Sequence, residues 1–285
     1  MATNIYALIE ERMPTFSKGQ RRIANAILTD YDKTAYMTAA KLGQAVGVSE
    51  STVVRFATEL GFEGYPEFQH AVQELVRTKL TPNQRIEVSS ARMGGANQFA
   101  RIMEDEVGRI RYTAENLDHA AFSGAVDAIN QAKKVYIMGV RSTSSIASFL
   151  HLNLSMICKD VCLVHARSSS EIFEQILDIG EGDVLFAISF PRYSARVEKA
   201  VRYAISRGAV VIALTDSPLS PIAQGAHYLL EAQSDMVSYV DSLVAPLAVV
   251  NALLAAVASK RPDSVRERLE SLERIWDEYD VYTKR

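Results

Sequence analysis

A short segment near the N-terminus has the spacing of two helices joined by a tight turn. Gly43 is small enough to let crossing helices approach, and Gly47 can take the positive φ that turns the chain. Ser49 can cap the next helix by accepting from its free N–H groups, and Gly61 suits the end of that helix. This spacing predicts a helix-turn-helix, in which the second helix carries base-contacting side chains near its N-terminus.

The chemistry expected of that second helix is the reading of DNA bases. Its apolar residues fall on one face, so its polar residues are expected to face outward. Arg55 has the geometry to bond a guanine bidentately, whereas Ser51 and Thr52 suit a phosphate or a base. The full predicted DNA-contacting set is Lys41, Ser49, Glu50, Ser51, Thr52, Arg55, Arg21 and Arg22.

A plain helical hairpin with a glycine turn is the alternative interpretation of the same residues. We favour DNA binding because the turn, the cap, the core spacing and the polar outer face agree. Residues 1–80 hold as many Lys and Arg as Asp and Glu, so this region is not basic overall. Affinity for DNA would then depend on a few placed cations and on dimerisation.

Two turns further along the chain combine hydroxyl groups with an arginine. Each follows an apolar run and precedes a helical segment, which is where α/β proteins bind anions. We expect the two turns to converge on one anionic ligand, although Ser and Thr at such turns also cap helices. The predicted ligand-binding residues are Arg141, Ser142, Thr143, Ser144 and Ser145 after the first run, and Ser189, Arg192, Tyr193 and Ser194 after the third.

Other candidate chemistry is sparse. The five histidines are scattered, and Cys158 and Cys162 lack the neighbours that a zinc site or a disulfide framework needs. Glu171 is a carboxylate at the start of a predicted helix, where the helix dipole favours a negative charge, so it gives little reason to expect a catalytic base. We therefore expect no catalytic residue, no metal and no cofactor.

The periodicity of the apolar residues predicts an α region followed by an α/β region. Segments up to residue 80 repeat apolar residues at helical steps, and residues 81–97 are rich in Pro, Ser and Gly. From residue 98, apolar runs alternate with helix-length segments, which predicts a doubly wound parallel sheet. The expected domains are 1–80 for the helix-turn-helix, 81–97 for a linker and 98–285 for the ligand-sensing domain. The predicted strands are Val135–Met138, Cys162–Val164, Val184–Ile188, Val210–Leu214 and Tyr228–Leu230.

Composition and charge are those of a globular protein of 285 residues, with 48% hydrophobic residues and a formal net charge of −3. No N-terminal apolar run resembles a signal peptide, so we expect a cytoplasmic protein. The longest apolar stretch, Val237–Ala258, is interrupted by Asp241 and Pro246 and fits a buried or subunit-packing helix better than a membrane span.

The segment KLGQAVGVSESTVVRFATELGFEGYPEFQ, from Lys41 to Gln69, resembles the N-terminal domain of the RpiR/MurR family of transcriptional regulators. That family joins such a headpiece to a sugar isomerase (SIS) domain, which is flavodoxin-like. The segments DVLFAIS and RGAVVIALTDSPLSPIA are similar to the SIS pattern. In that pattern, hydroxyls after the first and third strands hold a phosphosugar.

The chain departs from the SIS pattern at both turns. Arg141 stands where the usual Gly-x-Gly has its second glycine, and Phe190–Tyr193 replaces a common Ser-Gly turn. A bulkier and more cationic pocket favours a sugar-acid phosphate or another carboxylate-bearing metabolite over a plain sugar phosphate.

The resemblance implies a DNA-binding regulator whose SIS domain senses an anionic metabolite and modulates operator binding. The expected partners are a double-stranded operator with an inverted repeat, the metabolite and a second or further copy of the chain as dimer or tetramer; no membrane partner is expected. The alternative is a sugar-phosphate isomerase that carries an accessory helical domain.

Overall fold

The computed structural model describes residues 5–79, 86, 97–166 and 168–282. These residues divide into two compact units: the first draws on Met1–Gln98 and Met236–Asp241, the second on Phe99–Asp235 and Ser242–Arg285. The segment Met236–Asp241 therefore groups with the first unit, whereas the sequence analysis assigned it to the second domain. Most of the predicted linker, 81–85 and 87–96, lies outside the described residues, so the domain limits stay a prediction.

The described elements between residues 5 and 79 are all helical. They are α1 (Ile5–Arg12), a 3₁₀ turn (Met13–Thr15), α2 (Lys18–Thr29), α3 (Tyr31–Thr34), α4 (Ala39–Val46), α5 (Glu50–Glu59) and α6 (Tyr65–Lys79). Their apolar faces meet in one core, in which Ile9, Ile23, Val53, Phe56 and Phe68 are all at most 1% exposed.

Local hydrogen bonds fix where these helices begin. Ser17 and Gln20 form a capping box at α2, and the Thr38 hydroxyl accepts from the Lys41 N–H at α4. The buried Gln20 also donates through Nε2 to Glu59 Oε2 at 2.5 Å, which connects α2 to the end of α5.

Helix α6 holds the chain that leads into α4. The Tyr65 hydroxyl and Gln69 Nε2 both donate to the Met37 carbonyl at 2.7 Å. Burial raises the pKa of Tyr65 to about 12, so its hydroxyl remains a donor at neutral pH. These bonds satisfy a carbonyl that the turn between α3 and α4 leaves without a helical partner.

The second unit is a parallel sheet with helices on both faces. Its strands are β1 (Val135–Gly139), β2 (Val161–Leu163), β3 (Val184–Ile188), β4 (Val210–Thr215) and β5 (Tyr228–Glu231), in the order β2-β1-β3-β4-β5. Its helices are α7 (Gln98–Asn116), α8 (His119–Gln131), α9 (Thr143–Ile157), α10 (Ser169–Gln175), α11 (Ala195–Ser206), α12 (Val244–Ser259) and α13 (Pro262–Glu278). The predicted α/β class and the doubly wound parallel sheet are confirmed.

The continuous apolar runs arise because both faces of the sheet are covered. Ile137 and Phe186 face one core, packed by α8, α9 and α12, whereas Met138 and Leu185 face the other, packed by α10 and α11. Since successive side chains alternate between faces, neither face has room for polar residues.

The apolar stretch predicted from Val237 forms a helix only from Val244. Ser242 explains the later start, because its hydroxyl accepts from the Val244 N–H at 3.2 Å and donates to Glu106 at 2.6 Å. No single described helix is long and apolar enough to cross a membrane; α12 and α13 meet that criterion only together, as a pair bent by 103°.

Candidate functional site

The turn between α4 and α5 has the close packing that a helix-turn-helix requires. A β-carbon on Gly43 would lie 2.8 Å from the carbonyl oxygen of Val48, so only glycine fits there. Gly47 ends α4 in the left-handed region at φ 68°. The Ser49 side chain then accepts from the Thr52 N–H, which starts α5. All three predicted roles of these residues are observed.

Helix α5 separates a buried apolar face from an outward polar face. Val53, Phe56 and Ala57 are fully buried, whereas Glu50, Ser51 and Arg55 are exposed. Ser49 and Thr52 are more constrained, because their hydroxyls lie 2.8 Å apart within the cap. Thr52 is half-buried, with its methyl carbon against α2 at Gly19.

The basic residues of the predicted DNA-contacting set that precede α5 do not all lie near it. Arg22 does, since its guanidinium would be 3.1 Å from a β-carbon on Gly47. Arg21 instead donates to the Pro14 carbonyl at 3.1 Å, which turns it toward the 3₁₀ segment. Lys41 is exposed in the first turn of α4. The arrangement thus brings Arg22 to the turn and leaves Arg21 apart from it.

A second candidate site lies at the carboxyl ends of β1 and β3, which are neighbours in the sheet at its switch point. A β-carbon on Gly139 would lie 2.6 Å from the Thr143 carbonyl oxygen, so β1 passes directly under the first turn of α9. Arg141 is exposed in the turn between them, with the left-handed φ of 58°. Residues other than glycine rarely adopt this conformation. The glycine that usually stands here in the SIS pattern adopts it without strain.

The hydroxyl groups of the first turn divide into a buried and an exposed set. Thr143 is 5% exposed; its Oγ1 accepts from the Val140 N–H at 2.9 Å and lies 3.3 Å from the Ile188 carbonyl oxygen, joining β1 to β3. Ser144 and Ser145 are exposed and donate to the carbonyls of Arg141 and Ser142. Ser142, Ser144 and Ser145 are therefore exposed at this turn, and Thr143 is placed to hold the turn.

The turn after β3 is held in a similar way. The buried Ser189 hydroxyl accepts from the Ser194 N–H at 3.2 Å, and the Ser189 carbonyl accepts from the Thr215 hydroxyl at 2.7 Å. The Tyr193 hydroxyl donates to Asp216 Oδ1 at 3.0 Å. Arg192 is exposed at this edge.

Two carboxylates at the same edge were not among the predicted site residues. Asp216 follows β4 and Glu231 ends β5, where Thr215 pairs with Glu231 in register. Burial, followed by the charges of Asp216 and Asp118, raises the pKa of Glu231. In the sequence, each of these carboxylates is seen only to lie at the end of an apolar run. The sequence does not show that β4 and β5 are neighbouring strands, so it does not bring the two carboxylates together.

The described residues give no support for metal or nucleophilic chemistry. Among them, no group of three or more His, Cys, Asp and Glu is placed to hold a metal ion. Cys158 is buried beside Arg261, and burial raises the pKa of its thiol. Glu171 lies in the first turn of α10, where its N–H donates to the Ser168 cap. The contacts of Cys158 and Glu171 are thus those of residues that stabilise the fold.

Two family models match the chain. The helix-turn-helix domain of the rpiR family matches residues 3–79, and the SIS domain matches residues 128–256. Among curated proteins, the chain is 25% identical over 277 residues to the HTH-type transcriptional regulator HexR of Escherichia coli, with 94% of this chain and 92% of that protein covered. HexR of Pseudomonas aeruginosa is 25% identical over 270 residues, with 90% of each chain covered.

Solved structures share the same architecture. The sugar isomerase domain of an RpiR transcription factor from Sphaerobacter thermophilus has a TM-score of 0.59 and 27% identity, covering 61% of this chain and 97% of that one. The NanR protein of Vibrio vulnificus, solved in complex with ManNAc-6P, has a TM-score of 0.56 and 23% identity, covering 95% and 99%. The NanR comparison supports the fold of the chain over both matched regions.

Proposed function

Because this chain belongs to the rpiR family of helix-turn-helix transcriptional regulators, we propose that α5 binds operator DNA and that the SIS domain senses an anionic sugar derivative. The chain is a transcriptional regulator rather than a sugar-phosphate isomerase, as its regulator relatives span nearly its full length. Binding of the metabolite modulates operator affinity in this proposal.

The observation that carries DNA binding is the two-sided character of α5. Its buried face anchors the helix in the core, while Glu50, Ser51 and Arg55 are exposed on the side that a major groove would meet. Arg55 supplies the bidentate donor that guanine accepts, and Arg22 beside Gly47 supplies a cation for the flanking phosphate backbone.

The effector proposal rests on the edge formed by β1 and β3. Arg141 and Arg192 are exposed cations on the two turns, and the hydroxyls of Ser142, Ser144 and Ser145 are exposed on the first. Cations and hydroxyl donors suit a phosphate or carboxylate, and in this proposal the Ser144 and Ser145 hydroxyls rotate from the backbone carbonyls to which they donate toward the ligand. Asp216 and Glu231 offer carboxylate acceptors at the same edge, which suits the hydroxyl groups of a sugar. NanR, a protein of this fold, was solved with the phosphosugar ManNAc-6P.

A symmetric assembly follows from the recognition of DNA by short helices. One α5 contacts few base pairs, so two headpieces on an inverted repeat would supply the affinity that one lacks. We therefore propose a homodimer or a tetramer as the functional form.

We also propose that the protein acts in the cytoplasm, because a regulator of this kind binds chromosomal DNA.

The proposal is tested by anisotropy titration of the full chain with DNA from upstream of its own gene at fixed salt. Arg55→Ala should weaken specific binding by about 1–3 kcal/mol, and Arg55→Lys should weaken it too, since the lysine ammonium lacks the planar, rigid fork of donors that the guanidinium presents to guanine. Arg202→Ala, an exposed arginine in α11, is the matched control. If Arg55→Ala binds this DNA and other genomic fragments as well as the wild type does, base readout through α5 is wrong.

The effector half of the proposal needs a separate measurement. A panel of sugar phosphates, sugar-acid phosphates and neutral sugars is compared by thermal shift and by release of the bound DNA. We expect stabilisation by phosphorylated members and none by neutral ones. Stabilisation by neutral sugars alone would contradict an anionic effector without affecting the assignment of DNA binding.

A further inference from the structure

The outward face of α5 contains one apolar side chain, Val54. It is 38% exposed, although the neighbouring Val53 is fully buried. Within residues 5–79, it is the one large apolar side chain that is exposed among the side chains that the structure describes. Single exposed valines are common on protein surfaces, so the exposure alone decides nothing. Its position on the helix is what carries the argument.

Val54 lies inside the arc of side chains that is available to DNA. With about 100° of rotation per residue, Glu50, Val54, Thr58, Ser51 and Arg55 follow one another around an arc of about 140°. The buried Val53 and Phe56 lie on the other side of the helix, and the buried Ala57 lies next to Glu50 at the edge of the arc. Val54 therefore has Glu50 on one side and Thr58, Ser51 and Arg55 on the other, which makes it an apolar group within a polar reading surface.

Folding gives no reason for a valine at this position. The side chain lies outside the apolar core cluster of the unit, and a β-branched residue is a poorer helix former than alanine. Its backbone carbonyl accepts from the Thr58 hydroxyl at 3.1 Å, a bond that any residue at position 54 would allow. Neither the core cluster nor this hydrogen bond therefore specifies a valine at position 54.

We infer that Val54 is a specificity-determining residue that packs against the C5-methyl group of a thymine in each operator half-site. This inference rests on the proposed binding of α5 in the major groove. In that groove, thymine alone among the four standard bases presents a methyl group, and small apolar side chains are its usual contacts. The polar neighbours of Val54 then contact the hydrogen-bonding groups of the same or adjacent base pairs.

The test uses a duplex selected from a randomised DNA pool by the wild-type full chain. Each thymine of the duplex is replaced singly by deoxyuridine, which removes the methyl group and keeps the Watson–Crick pairing. Binding of the wild type should weaken about fourfold at one thymine per half-site, the effect of losing one buried methyl contact. Val54→Ala should reduce the difference between the thymine and uracil duplexes, because its shorter side chain makes less contact with the methyl group. Val244→Ala, an exposed valine in α12, is the matched control and should keep the wild-type difference.

Three outcomes would overturn the inference. If the wild type binds equally well when uracil replaces any one of the thymines, there is no methyl contact. This comparison uses only the wild-type protein, so it does not depend on whether a variant folds. If Val54→Ala keeps the full preference for thymine over uracil, another residue contacts the methyl group. Failure of the wild type to select any DNA overturns the proposed DNA binding together with this inference. The first two outcomes overturn only the contact of Val54, so the two kinds of failure can be told apart.

Discussion

The backbones of Gly43 and Val48 are in direct contact across the turn between α4 and α5. The Val48 N–H donates to the Gly43 carbonyl at 2.8 Å, and a β-carbon on Gly43 would lie 2.8 Å from the Val48 carbonyl oxygen. Because backbone occupies the space on both sides of the contact, a side chain at position 43 has no flexible neighbour to displace. The angle between the two helices thus depends on this glycine.

Gly43→Ala is expected to destabilise the protein by about 1–3 kcal/mol, because the added methyl group overpacks the turn. Gly108→Ala is the control: Gly108 is exposed in α7 with nothing within 4 Å, so alanine there should add about 0.5–1 kcal/mol of stability. Urea unfolding followed by circular dichroism measures both. If Gly43→Ala unfolds at the wild-type urea concentration, the close contact is not maintained in solution.

Arg22→Ala should weaken DNA binding to the same degree for all sequences, because the proposed contact of Arg22 is with phosphates and not with bases. The slope of log K against log salt concentration should decrease in magnitude by about 1. Arg202→Ala should leave the slope unchanged. A slope equal to that of the wild type in Arg22→Ala would remove this residue from the DNA-binding surface.

Arg141→Gly should separate the backbone role of position 141 from its charge. Glycine removes a left-handed strain of about 1–2 kcal/mol but adds about 0.5–1 kcal/mol of unfolded-state entropy, so stability should stay within about 1 kcal/mol of wild type. The affinity for the anionic effector should fall about tenfold or more, since a charge-assisted hydrogen bond is lost. Thermal unfolding and titration with the strongest ligand of the metabolite panel measure these effects.

Arg141→Ala is the informative comparison, since it removes the same charge and keeps a β-carbon. It should be less stable than Arg141→Gly and equally weak in effector binding. Equal stability of the two variants would contradict the left-handed conformation at this position, and undiminished effector affinity in both would exclude Arg141 from the site.

Glu231→Gln should change how stability depends on pH. Burial first, and then the charges of Asp216 and Asp118, raise the pKa of Glu231 above its ordinary value of 4.5. An acid with a higher pKa when folded binds more protons in the folded state than in the unfolded state. The free energy of unfolding therefore decreases as the pH rises from 4.5 through the folded-state pKa, and it levels off above that pKa.

Removing the carboxylate should abolish that decrease and make the variant more stable than the wild type at neutral pH. Chemical denaturation at a series of pH values compares the wild type, Glu231→Gln and Glu270→Gln, an exposed carboxylate in α13. Glu270→Gln should retain the wild-type pH dependence. A Glu231→Gln profile parallel to that of the wild type would show that position 231 does not cause it.

The elements of this protein could be predicted from local sequence. Each predicted strand overlaps an observed one, with ends that differ by at most one residue, as for Val135–Gly139. The glycine and serine of the turn before α5 also have their predicted conformations, φ 68° at Gly47 and a capping bond at Ser49. These features depend on the side chains within a few residues, which the sequence shows directly.

Sequence by itself therefore determined the helices, the apolar strands and the residue types that each turn offers. Only the tertiary structure decided that Arg22 lies beside Gly47 while Arg21 is bonded to Pro14, and that Thr143 is buried while Ser144 is exposed. It also decided the strand order, and with it the proximity of Asp216 and Glu231 at one edge. The physical reason is that these relationships depend on packing and strand pairing between segments far apart in the chain, whereas periodicity and capping act over one or two turns.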